Sequence, residues 1–177
     1  EFPFLVVCPK LNDRVWEPER IVALVDEILA DDRLRTVVDP GRIYLTGFSL
    51  GGYGTWETAS LYPARFAAVV PVAGACDPDW ADHYGTLPIW AFHGARDRVV
   101  RPTDSVETID AIRKQRGETD AVRLTLYPDA EHGIAETVYQ EADLYRWMLR
   151  HRICGMRYTA KGHKVTVFAN PPHPNPL

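Results

Sequence analysis

The chain has 177 residues, of which 46% are hydrophobic, and its formal net charge is −4 at pH 7. This length and apolar content allow one hydrophobic core. The weak acidic charge and the lack of a long basic run argue against a nucleic-acid-binding protein. The apolar stretches are too short for a membrane-spanning protein. The three cysteines have no metal-site spacing, and their odd number argues against a disulfide scaffold.

The predicted elements of the first half alternate between apolar strands and amphipathic helices. Residues 4–7 are apolar and are predicted to form a strand. A helix is predicted over residues 18–30, because Pro18 suits a first helical turn and apolar residues recur on one face. Residues 42–46 follow an Asp-Pro-Gly turn signal and are predicted to form a strand, and residues 52–61 a helix.

The second half continues the alternation. Strands are predicted at residues 67–72, 87–93 and 122–127, and helices at residues 104–116 and 140–150. Alternating strands and helices predict an α/β fold with a mostly parallel sheet flanked by helices. We therefore expect one α/β domain over residues 1–152, followed by an irregular, proline-rich tail at residues 153–177.

A Gly-Phe-Ser-Leu-Gly motif at residues 47–51 lies between the predicted strand 42–46 and the predicted helix 52–61. This placement is typical of a nucleophile elbow, a turn so sharp that its serine takes a strained backbone conformation and its hydroxyl stands clear of the sheet. The flanking glycines allow the strand and the helix to pass closely. Ser49 is therefore predicted to be a nucleophile.

Two later residues can activate this serine. A serine hydroxyl is a weak nucleophile near neutral pH, so it needs a general base and an acidic group that orients the base. Asp97 follows the predicted strand 87–93, and His132 follows the predicted strand 122–127. Because the carboxyl ends of parallel strands meet at one edge of a sheet, we expect His132 to be the base and Asp97 the orienting acid.

Other residues compete for these two roles. Asp77 and Asp79 follow the predicted strand 67–72 and remain an alternative source of the acid, although Asp97 has the tighter strand-loop context. His93 precedes Asp97 at the end of a strand and is predicted to be structural. The remaining histidines are assigned to surface, capping or tail positions: His83, His151, His163 and His173.

Three segments resemble the α/β-hydrolase superfamily: the Gly-Phe-Ser-Leu-Gly-Gly of residues 47–52, the His-Gly-Ala-Arg-Asp of residues 93–97 and the Glu-His-Gly of residues 131–133. The chain is most similar to esterases related to dienelactone hydrolase, phospholipase/carboxylesterase and polyhydroxybutyrate-depolymerase-like enzymes, over about residues 3–152. The resemblance implies an α/β-hydrolase fold, a small-molecule ester substrate, and no cofactor or metal. It also implies that the backbone N–H of Leu50 is an oxyanion donor.

The same resemblance implies that the sheet lacks its first strands. Residues 4–7 correspond to the fourth strand of the family's sheet and residues 43–45 to the fifth, and the third strand normally lies between them. No upstream segment fills that place, so we expect the chain to be part of a longer protein. The second oxyanion donor, which comes from the loop after the third strand, is then also missing.

The sequence thus predicts a serine hydrolase that cleaves a carboxylic ester through an acyl-enzyme on Ser49. Two alternatives remain open: a serine peptidase of the prolyl-oligopeptidase type with the same triad, and a catalytically impaired fragment or non-enzymatic module. Phe48, Trp16 and Tyr53 are candidates for an apolar substrate pocket, although aromatic residues beside an elbow also serve as core. Neither the substrate nor the oligomeric state is indicated.

Overall fold

The computed structural model describes residues 3–10 and 15–153. Within them, four strands form one sheet in the spatial order β1-β2-β3-β4, which is also their order along the chain, and every pair is parallel. The strands are β1 (Tyr44–Phe48), β2 (Ala68–Val72), β3 (Ile89–Gly94) and β4 (Val122–Tyr127). The predicted parallel α/β sheet is confirmed.

Five α-helices precede, connect or follow these strands in the described residues: α1 (Pro18–Ala30), α2 (Leu50–Leu61), α3 (Pro102–Arg116), α4 (Ala135–Gln140) and α5 (Ala142–Arg150). The predicted bounds of α1 are confirmed. Helix α3 ends at Gly117, whose φ of 77° is a backbone conformation that favours glycine. The helix predicted at residues 140–150 is wrong at its start, because Glu141 is extended and separates α4 from α5.

The helices cover the two faces of the sheet. On one face, Trp56 of α2 and Ile109 of α3 pack with Ile89 of the sheet. On the other, Trp147 of α5 packs with Phe92. Strand β2 is buried at every residue, as is β3, because both are covered on their two faces and paired along both edges. The core therefore lies around these two central strands.

The prediction of a strand at residues 4–7 is wrong. These residues have no strand structure, and Leu5 and Val6 are 56% and 63% exposed. The ring of Phe4 is packed, with its centroid 5.8 Å from that of Tyr44 and 5.7 Å from that of Tyr145. An apolar sequence is not sufficient for a strand, since strand structure also requires a hydrogen-bonded neighbour.

A cavity of about 810 Å³ separates residues 3–9 from the outer edge of β1. Its walls include Ile21, Leu24 and Val25 of α1, which explains why the apolar face of this helix is only partly buried. Strand β1 is consequently paired to β2 along one edge and faces this cavity along the other.

None of the described helices combines the length and the apolar character needed to cross a bilayer. Beyond Ile153, the predicted irregular tail lies outside the described residues.

Candidate active site

Ser49 lies in the sharp turn between β1 and α2. Its φ of 55° and ψ of −115° confirm the strained backbone predicted for this position. Its backbone N–H donates to the carbonyl of Val72 at 2.9 Å, which holds the turn against the end of β2. Gly47 must lack a side chain, because a Cβ there would overlap the backbone of Gly51.

The start of α2 is also in backbone contact with the loop after β2. A Cβ on Gly52 would lie 2.6 Å from the carbonyl oxygen of Val72 and 2.9 Å from Cα of Gly74. No side chain fits in this space, so glycine is required on both sides of the contact. The turn that carries Ser49 is therefore fixed by backbone packing against β2.

Asp97 follows β3 in a tight turn, and its side chain is fully buried. Its Oδ1 accepts hydrogen bonds from the N–H groups of Val99 (2.8 Å) and Val100 (2.9 Å). Burial by itself raises the pKa of this carboxyl, but the hydrogen bonds from His132 and from the two N–H groups outweigh it and hold the pKa below its usual value. Asp97 is therefore ionised at neutral pH.

His132 lies in the loop after β4, with a side chain that is 20% exposed. This loop packs directly on the end of β3, since a Cβ on Gly94 would overlap the carbonyl groups of Ala130 and Glu131. The N–H of Arg96 donates to the carbonyl of Ala130 at 2.9 Å. The loop of Asp97 and the loop of His132 are thus joined through backbone contacts.

The three predicted side chains meet at the carboxyl edge of the sheet. His132 Nε2 lies 2.8 Å from Ser49 Oγ, and His132 Nδ1 lies 2.7 Å from Asp97 Oδ2. Because an ionised carboxylate only accepts, Nδ1 must carry the proton, and Nε2 is then free to accept one from the serine hydroxyl. This arrangement can move a proton from Ser49 to His132 while Asp97 balances the charge.

The other predicted site residues lie in different places relative to Ser49, Asp97 and His132. Leu50 is the first residue of α2, so its N–H has no carbonyl within the helix to donate to. The ring of Phe48 packs 5.0 Å from that of His132. Tyr53 is 41% exposed, and its phenol pKa is raised by partial burial and by the carboxylates of Asp104 and Asp97. Trp16 instead lines the cavity beside β1.

None of the three predicted catalytic residues lines that cavity, although Gly47 and Gly51, two residues to either side of Ser49, do. Trp16 lies against α2, where it occupies the space that a Cβ on Gly54 would need. Trp16 therefore packs on the helix while it lines the cavity, and its role in a substrate pocket stays a prediction.

The rival acid has a different role in the structure. Asp77 is exposed and accepts a hydrogen bond from the N–H of Asp79 at 3.0 Å, which caps a short 3₁₀ turn. One contact was missed by the sequence analysis: His93 Nε2 lies 3.2 Å from Asp97 Oδ2. The four-residue spacing across the turn at Gly94 was the available signal. Within the described ranges, no group of histidine, cysteine and acidic residues could hold a metal ion.

Comparison with known proteins is consistent with this fold. Residues 9–149 match the dienelactone hydrolase family. Poly(3-hydroxyalkanoate) depolymerase C of Paucimonas lemoignei is 26% identical over 149 residues, which cover 67% of this chain and 35% of that protein. A bifunctional acetylxylan esterase/xylanase of Neocallimastix patriciarum is 26% identical over 149 residues, which cover 81% of this chain and 21% of that protein.

Among solved structures, a thermostable esterase superposes with a TM-score of 0.63 and 28% identity, over 76% of this chain and 36% of that one. The chain thus spans about a third or less of the curated relatives, and the fold of its neighbours confirms the expected α/β-hydrolase architecture. Because the family match at residues 9–149 covers well over half of the chain, the chain belongs to the dienelactone hydrolase family.

Proposed function

We propose that this chain carries the catalytic machinery of a serine hydrolase that cleaves carboxylic esters. The observation that carries the proposal is the continuous line from Ser49 Oγ through the ring of His132 to Asp97 Oδ2, with distances of 2.8 and 2.7 Å. Both lie within the range at which a base can take a proton from a nucleophile and be oriented by an acid.

In the first half of the reaction, Ser49 Oγ attacks the carbonyl carbon of the ester and its proton passes to His132 Nε2. The imidazolium that forms is stabilised by the ionised carboxylate of Asp97, which stays unprotonated throughout. The tetrahedral intermediate then collapses, the ester C–O bond breaks, and the leaving alkoxide takes the proton from His132 Nε2. An acyl group remains on Ser49.

In the second half, His132 Nε2 takes a proton from a water molecule, which attacks the acyl carbon. Collapse of the second intermediate returns the proton to Ser49 and releases the carboxylic acid. In both halves a negative charge develops on the former carbonyl oxygen. The N–H of Leu50, at the positive end of α2, is the proposed donor to that oxygen.

The names of two relatives favour an ester over an amide. One is named a bifunctional acetylxylan esterase/xylanase, and the other a depolymerase of poly(3-hydroxyalkanoate), a polymer whose units are joined by ester bonds. The thermostable esterase supports the same reaction class. The ring of Phe48 beside His132 is a candidate contact for an apolar acyl group.

The proposal is tested by covalent labelling with a fluorophosphonate, in which Ser49 Oγ forms a bond to phosphorus and fluoride leaves. We expect mass spectrometry to find one label per folded chain, on Ser49, together with hydrolysis of a short-chain aryl ester. Ser49→Ala should abolish both signals, whereas Ser60→Ala, a buried serine in the same helix, should retain them.

A folded wild-type chain that takes no label, or takes it on another residue, would contradict the proposal. The matching aryl amide, measured under the same conditions, discriminates between the two bond types. Faster turnover of the amide than of the ester would favour a peptidase.

A further inference from the structure

A second histidine lies behind the acid of the proposed triad. His93 is the fifth residue of β3 and is 0% exposed. Its Nδ1 lies 2.8 Å from Ser105 Oγ, and its Nε2 lies 3.1 Å from the carbonyl oxygen of Val100 and 3.2 Å from Asp97 Oδ2. The carboxylate of Asp97 therefore lies between two imidazole rings.

The neighbours of the ring determine where its proton is. Nε2 faces a carbonyl oxygen and a carboxylate oxygen, and both are acceptors only, so Nε2 must carry a hydrogen. Nδ1 faces the hydroxyl of Ser105, which can donate or accept and so allows either state of that nitrogen. The Nε2–H therefore donates to Val100 O, and Asp97 Oδ2 lies 3.2 Å from the same nitrogen.

This donor fixes the turn that hydrogen-bonds Asp97. Oδ1 of Asp97 accepts from the N–H groups of Val99 and Val100, the second of which has its carbonyl held by His93, and Oδ2 accepts from His132 Nδ1. Rotation about the bond to a carboxylate is soft, since its torsion angle is broadly distributed. Donors on both oxygens are what hold such a buried group in one orientation.

The ring of His93 is itself held from the far side. Ser105 belongs to α3, is 2% exposed, and also lies 3.0 Å from the carbonyl oxygen of Gly74 in the loop after β2. The contacts therefore run from the β2 loop through Ser105 and His93 to the carboxylate. They fix the position of Asp97 relative to β2, which pairs with β1, the strand that leads to Ser49.

We infer that His93 is a positioning residue of the proposed triad: its Nε2–H holds the Val100 carbonyl, and with it the turn whose N–H groups orient Asp97 towards His132. The inference rests on the proposed function, because a positioning role has meaning only if the triad reacts. A histidine with a purely structural role would form hydrogen bonds and stabilise the fold. The direction of its N–H donor would then have no effect on the reactivity of Ser49.

Two amide substitutions separate these roles. The side-chain amide of His93→Gln can reach the position of Nε2, whereas that of His93→Asn reaches only the position of Nδ1. We expect His93→Asn to slow fluorophosphonate labelling of Ser49 by about ten- to hundredfold, and His93→Gln to stay within about threefold of wild type. The proton resonance of His132 Nδ1–H should shift in His93→Asn and be retained in His93→Gln.

A wild-type chain that labels on Ser49, with folded Gln and Asn variants that label equally fast, would overturn the inference while leaving the proposed function intact. A wild-type chain that takes no label would instead overturn the proposed function. If neither variant folds, ¹⁵N spectra of the wild-type chain show which ring nitrogen of His93 carries the proton. Protonation of His93 at Nε2 is expected, and a ring protonated at Nδ1 alone would refute the inference.

Discussion

The carboxyl edge of the sheet and the outer side of β1 are built in opposite ways. At the carboxyl edge, Asp97 is fully buried, and both of its oxygens and both ring nitrogens of His132 have partners. Along the outer side of β1, a cavity of about 810 Å³ replaces a neighbouring strand, and the apolar Val6 is 63% exposed.

Ser49 borders both regions, since it directly follows β1 and is the nucleophile of the proposed triad. Yet the contacts that position Ser49 are with the carboxyl edge: its N–H donates to Val72 of β2, and its hydroxyl lies within hydrogen-bond distance of His132 in the loop after β4. We therefore expect changes at the carboxyl edge to alter chemistry strongly. Changes on the far side of the cavity should have little effect on chemistry or stability.

The largest effect is expected for Asp97→Asn. The amide of asparagine can donate to His132 and favours the wrong tautomer, so labelling of Ser49 and ester turnover should fall by about 10⁴-fold. The matched change is Asp77→Asn, at the exposed carboxylate that caps the 3₁₀ turn, and it should leave both rates near wild type. The two rates are measured with the fluorophosphonate and with the aryl ester. A large loss for Asp77→Asn with little for Asp97→Asn would reassign the acid.

A smaller but still large effect is expected for Gly94→Ala. A Cβ at this position overlaps the backbone of Ala130 and Glu131, so the loop that carries His132 must move away from Asp97. A displacement on the order of 1 Å can slow a reaction by about 10²-fold, and labelling should fall by that amount. Gly133→Ala is the control, since nothing lies within 4 Å of a Cβ there. Equal labelling rates in the two variants would show that the contact at Gly94 does not position the histidine.

Next in size is the pH dependence of stability that Asp97 contributes. The pKa of its carboxyl is lowered in the folded chain, so it stabilises the fold above its unfolded pKa of about 3.9, and this contribution is lost as the pH falls through the folded value. The difference in unfolding free energy between wild type and Asp97→Asn should therefore be larger at neutral pH than in acid. Urea denaturation at several pH values measures it, and a difference that does not change with pH would contradict the assignment.

The smallest effect is expected on the other side of the comparison, for Val6→Ser. This side chain is mostly exposed, so the free energy of unfolding should change by no more than about 0.5 kcal/mol. Ile89→Ala, in the fully buried β3, should cost about 2–5 kcal/mol. Urea denaturation compares the two variants. A loss for Val6→Ser close to that for Ile89→Ala would mean that residues 3–9 pack much more tightly than the cavity implies.

The sequence was sufficient to predict the parts that depend on local chemistry. The motif at residues 47–51 predicted the sharp turn and its strained serine, and Pro18 with the apolar face after it predicted the bounds of α1. The order of strands and loops was also enough to bring Asp97 and His132 to Ser49, because parallel strands deliver their loops to one edge.

What the sequence could not predict depends on neighbours distant along the chain. Residues 4–7 are apolar enough for a strand but have no paired partner in the described residues. No glycine or proline marks the extended backbone of Glu141, which divides the last helical segment into α4 and α5. The contact of His93 with Asp97 depends on the turn at Gly94, which folds two residues of one segment onto each other.

The order of strands in the sheet also has a kinetic consequence. Because β1, β2, β3 and β4 are neighbours in the order in which they are synthesised, the sheet can grow from one edge as the chain emerges. Ser49 is complete early, but His132 lies 83 residues further along. The proposed nucleophile therefore stays unreactive until β4 has docked, so the rate at which labelling competence appears during refolding reports the last step of sheet assembly.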